Sequence, residues 1–319
     1  MSVGTFTLSG LDVPEARAEV TPPFVMCAFD TESNVVDHLV TDHSVGWAVS
    51  LGLLPPHGMA EALGMDLGHL VGYGFPNADY ERLRLVGDWA LLQTVLRDER
   101  GSADDLELLL AVLRAEPVPP GDPRVEAMAD LRVRLLALGG PDWLESFAEE
   151  VERMFAAFTR EALDEHHGLV PTPEAHAALC ELTAGLHPLF RFGGPVDGID
   201  LPPPVREHSA LRELAATACR VVGYARDLHT HRAEIARGGV HNLVLVTMRS
   251  QSVVLDQAVD RAVEIHDDEV RDFLRKAAAL PSFGHQVDEQ VRGYVRLLRR
   301  WIGGHRKWAE YTGRYRKPC

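Results

Sequence analysis

The sequence predicts an all-α fold, with roughly ten helices packed around a shared centre. Three observations carry that expectation. Apolar residues recur at steps of three and four along most of the chain beyond residue 79. Proline precedes several of these segments and glycine follows them, the usual start and stop signals of helices. No stretch alternates apolar and polar residues over the length of a strand, so a sheet is not expected.

The elements follow in order. Residues 1–70, rich in Pro, Gly and short apolar patches, read as an N-terminal strap leading into short helices. Leu85, Trp89, Leu92 and Leu96 mark the first strong helix. Asp122-Pro123 starts another, carried by Val125, Met128, Leu131 and Leu135 and ended by Gly139-Gly140. Leu144, Phe147, Val151, Met154 and Phe158 form the next, which stops near Gly168. After the bend LPPPVREHS, Leu211, Leu214, Ala218, Val221 and Ala225 repeat up to Gly238-Gly239. Residues 240–279 read as helical, and Val287, Val291, Tyr294, Leu298 and Trp301 mark the last helix. With no internal repeat and no linker composition, the whole of 1–319 is expected to form one domain.

Composition excludes several function classes. The chain has 319 residues, 46% of them hydrophobic, enough for a large core. A net charge of −15, from 47 acidic and 32 basic residues, argues against nucleic acid or an anionic membrane surface as the main partner. The longest apolar runs, such as 242–248, are far short of a bilayer span. The N-terminus lacks a signal-peptide pattern. Cys27, Cys180, Cys219 and Cys319 are widely spaced, which suggests reduced thiols rather than a disulfide or zinc framework. A cytoplasmic protein is the expectation.

Four stretches, in order, resemble the class I terpene synthases of bacteria: 72–101 (GYGFPNADYERLRLVGDWALLQTVLRDERG), 167–185 (HGLVPTPEAHAALCELTAG), 223–244 (GYARDLHTHRAEIARGGVHNLV) and 301–315 (WIGGHRKWAEYTGRY). The resemblance spans nearly the whole chain. It implies a class I terpenoid synthase-like bundle or barrel around a central apolar pocket. It also implies chemistry on an isoprenoid, by cyclisation or prenyl transfer. The family ionises a prenyl diphosphate, and magnesium offsets the charge of the leaving group.

Several positions that the resemblance marks as functional carry unexpected residues. The family's first metal motif has two adjacent Asp at a helix end; the matching pair is Arg97-Asp98. Glu99, Asp104 and Asp105 follow as substitutes or as a solvated loop. The second motif has three ligands stepping by four along one side of a helix, about 12 Å from end to end. They fall on Arg226, Thr230 and Glu234, with Asp227 beside the first. Asp98, Thr230 and Glu234 are therefore the residual metal ligands, an incomplete set for magnesium. A guanidinium some 4 Å from a divalent ion costs roughly 8 kcal/mol at an effective dielectric of about 20. Either Arg97 and Arg226 turn away or magnesium is absent there.

The family's diphosphate-sensing Arg matches Cys180, which reads as a packing residue. Its Arg-Tyr pair is present as Arg314-Tyr315. We therefore expect Arg97, Arg226, Arg314 and Tyr315 to carry the chemistry, with arginine forks replacing part of the metal cluster. Phe75, Trp89, Leu92, Val222 and Trp308 are expected to line the substrate pocket. Among 15 histidines, Asp227 and His231 are spaced to share a metal, with no third ligand in the sequence. Two other functions stay open: an enzyme shaping a phosphate-free apolar polyene, and a non-catalytic relative. Family members often pair, which makes a homodimer an expectation as well.

Overall fold

The structure, a computed structural model, describes residues 29, 32–99 and 102–316. All regular structure among them is helical. In chain order the helices are α1 (Asp37–Ser50), α2 (Met59–Met65), α3 (Leu67–Gly74), α4 (Tyr80–Glu99), α5 (Ala103–Leu113), α6 (Pro123–Gly139), α7 (Pro141–His166) and α8 (Pro173–Thr183). They continue with α9 (Leu186–Arg191), α10 (Gly193–Asp197), α11 (Pro203–Arg206), α12 (Ser209–Ala236), α13 (Leu243–Gln251), α14 (Leu255–Ala278) and α15 (His285–Ala309). A closing 3-10 turn spans Gly313–Tyr315. None of the described helices is long and apolar enough to cross a membrane.

Most boundaries follow the local signals. Pro123 opens α6 behind Asp122, whose carboxylate accepts the Arg124 N–H at 2.8 Å. Thr172 caps α8 in the same manner. Two boundaries differ from expectation. The acidic stretch after α4 is a capped helix, not a loop: Ser102 and Asp105 form a reciprocal capping box at the start of α5. Segment 240–279 is two helices, divided at Ser252, which takes a left-handed conformation. Part of the N-terminal strap, with Cys27, lies outside the described residues, as does Cys319.

The main core runs from α1 to α15. Its centre is an aromatic layer: Trp89 meets Phe147 edge-on at 4.8 Å, and Trp143 and Phe192 pack on the same ring. Close approach of helices depends on small residues. A Cβ at Gly74 would strike the Trp301 ring, and one at Gly223 would strike the Cys180 sulfur. The C-terminal turn of α4 and the middle of α12, at Arg226, thus both lie close to the end of α8.

Candidate active site at the end of the bundle

The site begins with a break in a helix. α8 stops at Thr183, and α9 starts after Gly185, whose φ of +73° suits glycine. The last carbonyls of a helix have no partner within it, and they carry the negative end of the helix dipole. Two arginines from different helices use one of them. Arg97 at the end of α4 donates to the Thr183 carbonyl, and Arg226 on α12 donates to the same oxygen at 3.1 Å.

Each guanidinium also has a carboxylate. Arg97 faces Glu161 on α7 at 3.4 Å and lies 5.5 Å from the centre of the Phe158 ring. Glu161 accepts the Thr183 hydroxyl at 2.8 Å as well. Arg226 pairs with the adjacent Asp227 at 3.0 Å. Asp227 is buried, and both its oxygens are engaged. Arg226 donates to Oδ1, while His176 Nε2 at 3.0 Å and the Leu243 N–H at 2.9 Å meet Oδ2. Burial alone would raise this carboxyl, but Arg226 and His176 outweigh it and hold it down at about 2. For Arg226, burial is again the largest influence and lowers the pKa; the neighbouring anions, Asp227 first, more than reverse it. Arg97 goes the other way, lowered by burial and then by the charge of Arg226.

The C-terminal turn joins the site through the end of α4. Trp308 donates to the Met65 and Asp66 carbonyls at 2.8 and 3.0 Å. Thr312 donates to Met65 at 2.7 Å and accepts the Arg314 N–H, which sets the turn. Arg314 then forms a two-pronged pair with Asp98, at 2.8 and 2.6 Å. The Tyr315 ring stacks on His229, with centroids 4.8 Å apart and planes 3° apart, and its hydroxyl lies 3.1 Å from His305 Nε2. Burial raises Tyr315 to about 12 despite the nearby arginines. Burial also lowers His229 to about 4 and His305 to about 3, so both imidazoles are neutral.

The four expected catalytic residues therefore meet at one end of the bundle, in range of each other's charge. The expected metal ligands are all engaged with protein partners. Asp98 is taken by Arg314, Thr230 accepts Asn242 at 3.4 Å, and Glu234 pairs with Arg237. The expected pocket residues are buried: Phe75 edge-on to Trp301, Trp89 donating to Gln93 at 3.1 Å, Trp308 on the Met65 carbonyl, and Leu92 and Val222 in the core. Asp105 is occupied with its helix cap. His231 turns to the Leu228 carbonyl at 2.8 Å rather than to Asp227.

Asp227 instead keeps company with His176 and Cys180, whose donor atoms lie within 4.8 Å of one another, fully buried. With both Asp227 oxygens engaged and Arg226 adjacent, that trio reads as packing around the Cys180 side chain. Sequence reasoning missed Glu161, His176, His229, His305 and the Thr183 carbonyl. Only the carbonyl had a signal, the Thr-x-Gly that ends α8.

Comparison with known proteins agrees with this architecture. Residues 96–272 match the family described as terpene synthase family 2, C-terminal metal binding. The chain is 30% identical over 311 residues to a (+)-T-muurolol synthase of Roseiflexus castenholzii, described as cyclizing (2E,6E)-farnesyl diphosphate, covering 94% of each chain. It is 22% identical to germacrene A synthase of Nostoc punctiforme, over 92% of this chain and 94% of that one. Among solved structures, a-eudesmol synthase superposes with a TM-score of 0.81 at 21% identity, covering 91% of this chain and 100% of that one. Germacradien-4-ol synthase from Streptomyces citricolor gives 0.77 at 20%, covering 90% and 98%. At those identities the structural matches speak for the fold.

Proposed function

The chain belongs to the class I terpene synthase family and is a terpene synthase-like enzyme; from that premise we propose that it acts on a prenyl diphosphate held by Arg97, Arg226 and Arg314. The observation that supports this is the convergence of Arg97 and Arg226 on one carbonyl oxygen, with Arg314 poised beside them. A carbonyl that accepts two guanidinium groups stands where a phosphoryl oxygen would be welcome. Arginine forks match such oxygens in geometry and in charge. The relative that cyclizes farnesyl diphosphate makes a chain of that length the first substrate to try.

The family ordinarily uses magnesium, which supplies charge for the departing diphosphate. The residues in this chain do not fit that cluster. One ligand position is Arg226, and the carboxylates of Asp98 and Glu234 already serve Arg314 and Arg237. No step is therefore assigned to the metal. On substrate binding, the guanidinium groups exchange carbonyl and carboxylate for diphosphate oxygens. Tyr315, kept protonated by burial, adds a neutral donor. These donors stabilise the charge that grows on the leaving oxygen as the allylic carbon–oxygen bond breaks.

One observation favours a second reading. Each arginine already has its own carboxylate, Glu161, Asp227 or Asp98, so the mouth is neutral without a ligand. A phosphate-free polyene would suit such a mouth. Calorimetric titration with inorganic pyrophosphate, with magnesium and with chelator, separates these ideas. Binding is expected in both conditions and is expected to weaken by about tenfold or more in Arg226→Ala. Binding that needs magnesium would restore the ordinary metal cluster. No binding in either condition would overturn the arginine mouth and leave the phosphate-free substrate.

A further inference from the structure

The C-terminal turn fixes the Tyr315 ring and leaves its hydroxyl hydrogen free to turn. Trp308 and Thr312 both donate to the Met65 carbonyl, so the chain that leads from α15 into the turn is pinned. The ring is stacked on His229, with planes 3° apart, and meets Trp308 crosswise at 5.3 Å and 72°. What remains is rotation of the hydroxyl hydrogen about the C–O bond. Among the described residues the hydroxyl has one hydrogen-bond partner, His305 Nε2 at 3.1 Å. His305 is buried on α15, ten residues before Tyr315.

Two hydrogen bonds can join these atoms, with opposite consequences. A neutral imidazole carries a single N–H, on Nδ1 or on Nε2. Burial keeps His305 neutral, and the neighbouring His229, Arg226 and His266 act in the same direction. With Nε2 bare, the Tyr315 hydroxyl donates to it and spends its only hydrogen there. The phenol oxygen lies in the field of Arg314, Arg226 and Arg97. It would then show only lone pairs to a diphosphate held by those arginines, and phosphoryl oxygens are repelled by lone pairs. With the hydrogen on Nε2, the imidazole donates to the phenol oxygen and the hydroxyl hydrogen can point into the mouth. The two bonds then run in one direction and polarise each other. The imidazole tautomer therefore sets the sign of what Tyr315 does to an anion.

We propose that His305 is a positioning residue for the diphosphate: its Nε2–H donates to the Tyr315 oxygen and turns the hydroxyl hydrogen toward the ligand. The inference rests on the arginine mouth proposed above and adds to it the group that makes Tyr315 a donor there.

The test is calorimetric titration of the full chain with pyrophosphate, as wild type, His305→Leu, Tyr315→Phe, the double variant and His305→Gln, each checked for its fold by circular dichroism. His305→Leu and Tyr315→Phe should weaken binding by the same factor, roughly three- to tenfold. The double variant should lose no more than either single one, because His305 acts through Tyr315. His305→Gln, whose amide also donates, should bind close to wild type, which a loss of packing alone would not allow. Long-range proton–nitrogen NMR of the wild type with pyrophosphate bound should show the hydrogen on Nε2, the His305 signal being assigned by its loss in His305→Gln. That readout holds even if His305→Leu does not fold. A bare Nε2, additive losses in the double variant, or a Tyr315→Phe variant that binds as tightly as wild type would overturn the role of His305 and leave the arginine mouth standing. A wild type that binds no pyrophosphate would overturn both.

Discussion

Asp227 is the residue on which the site turns. It meets a guanidinium, an imidazole and a backbone N–H, all out of water. Asp227→Asn keeps the shape but removes the charge opposite Arg226. Leaving a buried charge unpaired typically costs about 3–5 kcal/mol, so a clear loss in urea denaturation is expected. An unchanged midpoint would show that Arg226 finds another anion. The pH dependence has a definite sign. With Asp227 held at about 2, below its ordinary 3.8, the stability it contributes is present above pH 3.8 and is lost as pH falls toward 2. His305 acts earlier in the same descent. Its pKa is lowered from 6.5 to about 3, so the unfolded chain takes up a proton that the folded chain refuses throughout that window. Thermal scans should show melting temperature falling as pH drops below 6.5, and falling less in His305→Gln. Arg97 and Arg226 were legible in the sequence as misfits at ligand positions. Their anchors were not: Glu161 is 64 residues from Arg97, and no local pattern joins them.

At the scale of elements, the break between α8 and α9 decides where the arginines point. Gly185 combines positive φ with contact: a Cβ there would meet the Gln93 amide on α4. Gly185→Ala is expected to cost about 1–3 kcal/mol. It should also weaken pyrophosphate binding, because the Thr183 carbonyl would shift. Gly198 has positive φ too but open space around its Cα, so Gly198→Ala should cost less and spare binding. Denaturant midpoints and calorimetry on the two variants make the comparison; equal effects would detach the break from the site. Helix starts marked by Pro and ends marked by Gly were readable, as at Pro123 and Gly139-Gly140. The division at Ser252 was not. Serine in a left-handed conformation is set by how α13 and α14 pack, not by a local preference for turning.

For the whole molecule, the helical period and four ordered motifs were enough to read the fold, since each depends on residues near in sequence. The site depends on what three or four distant helices bring together, and there the same reasoning reached positions but not partners. The neutral mouth has a consequence for arrival rather than for binding. A cluster of three free arginines would draw anions in from a distance, and salt would slow that capture sharply. Here each positive charge is matched by its own carboxylate, and the chain as a whole carries −15. If the proposed arginine mouth takes a diphosphate, that polyanion drifts in unaided and reaches the guanidinium groups by exchange. Stopped-flow association of pyrophosphate should be slow for a charged pair, and added salt should quicken it or leave it unchanged. Salt that slows capture would mean that the ion pairs are already open before the visitor comes.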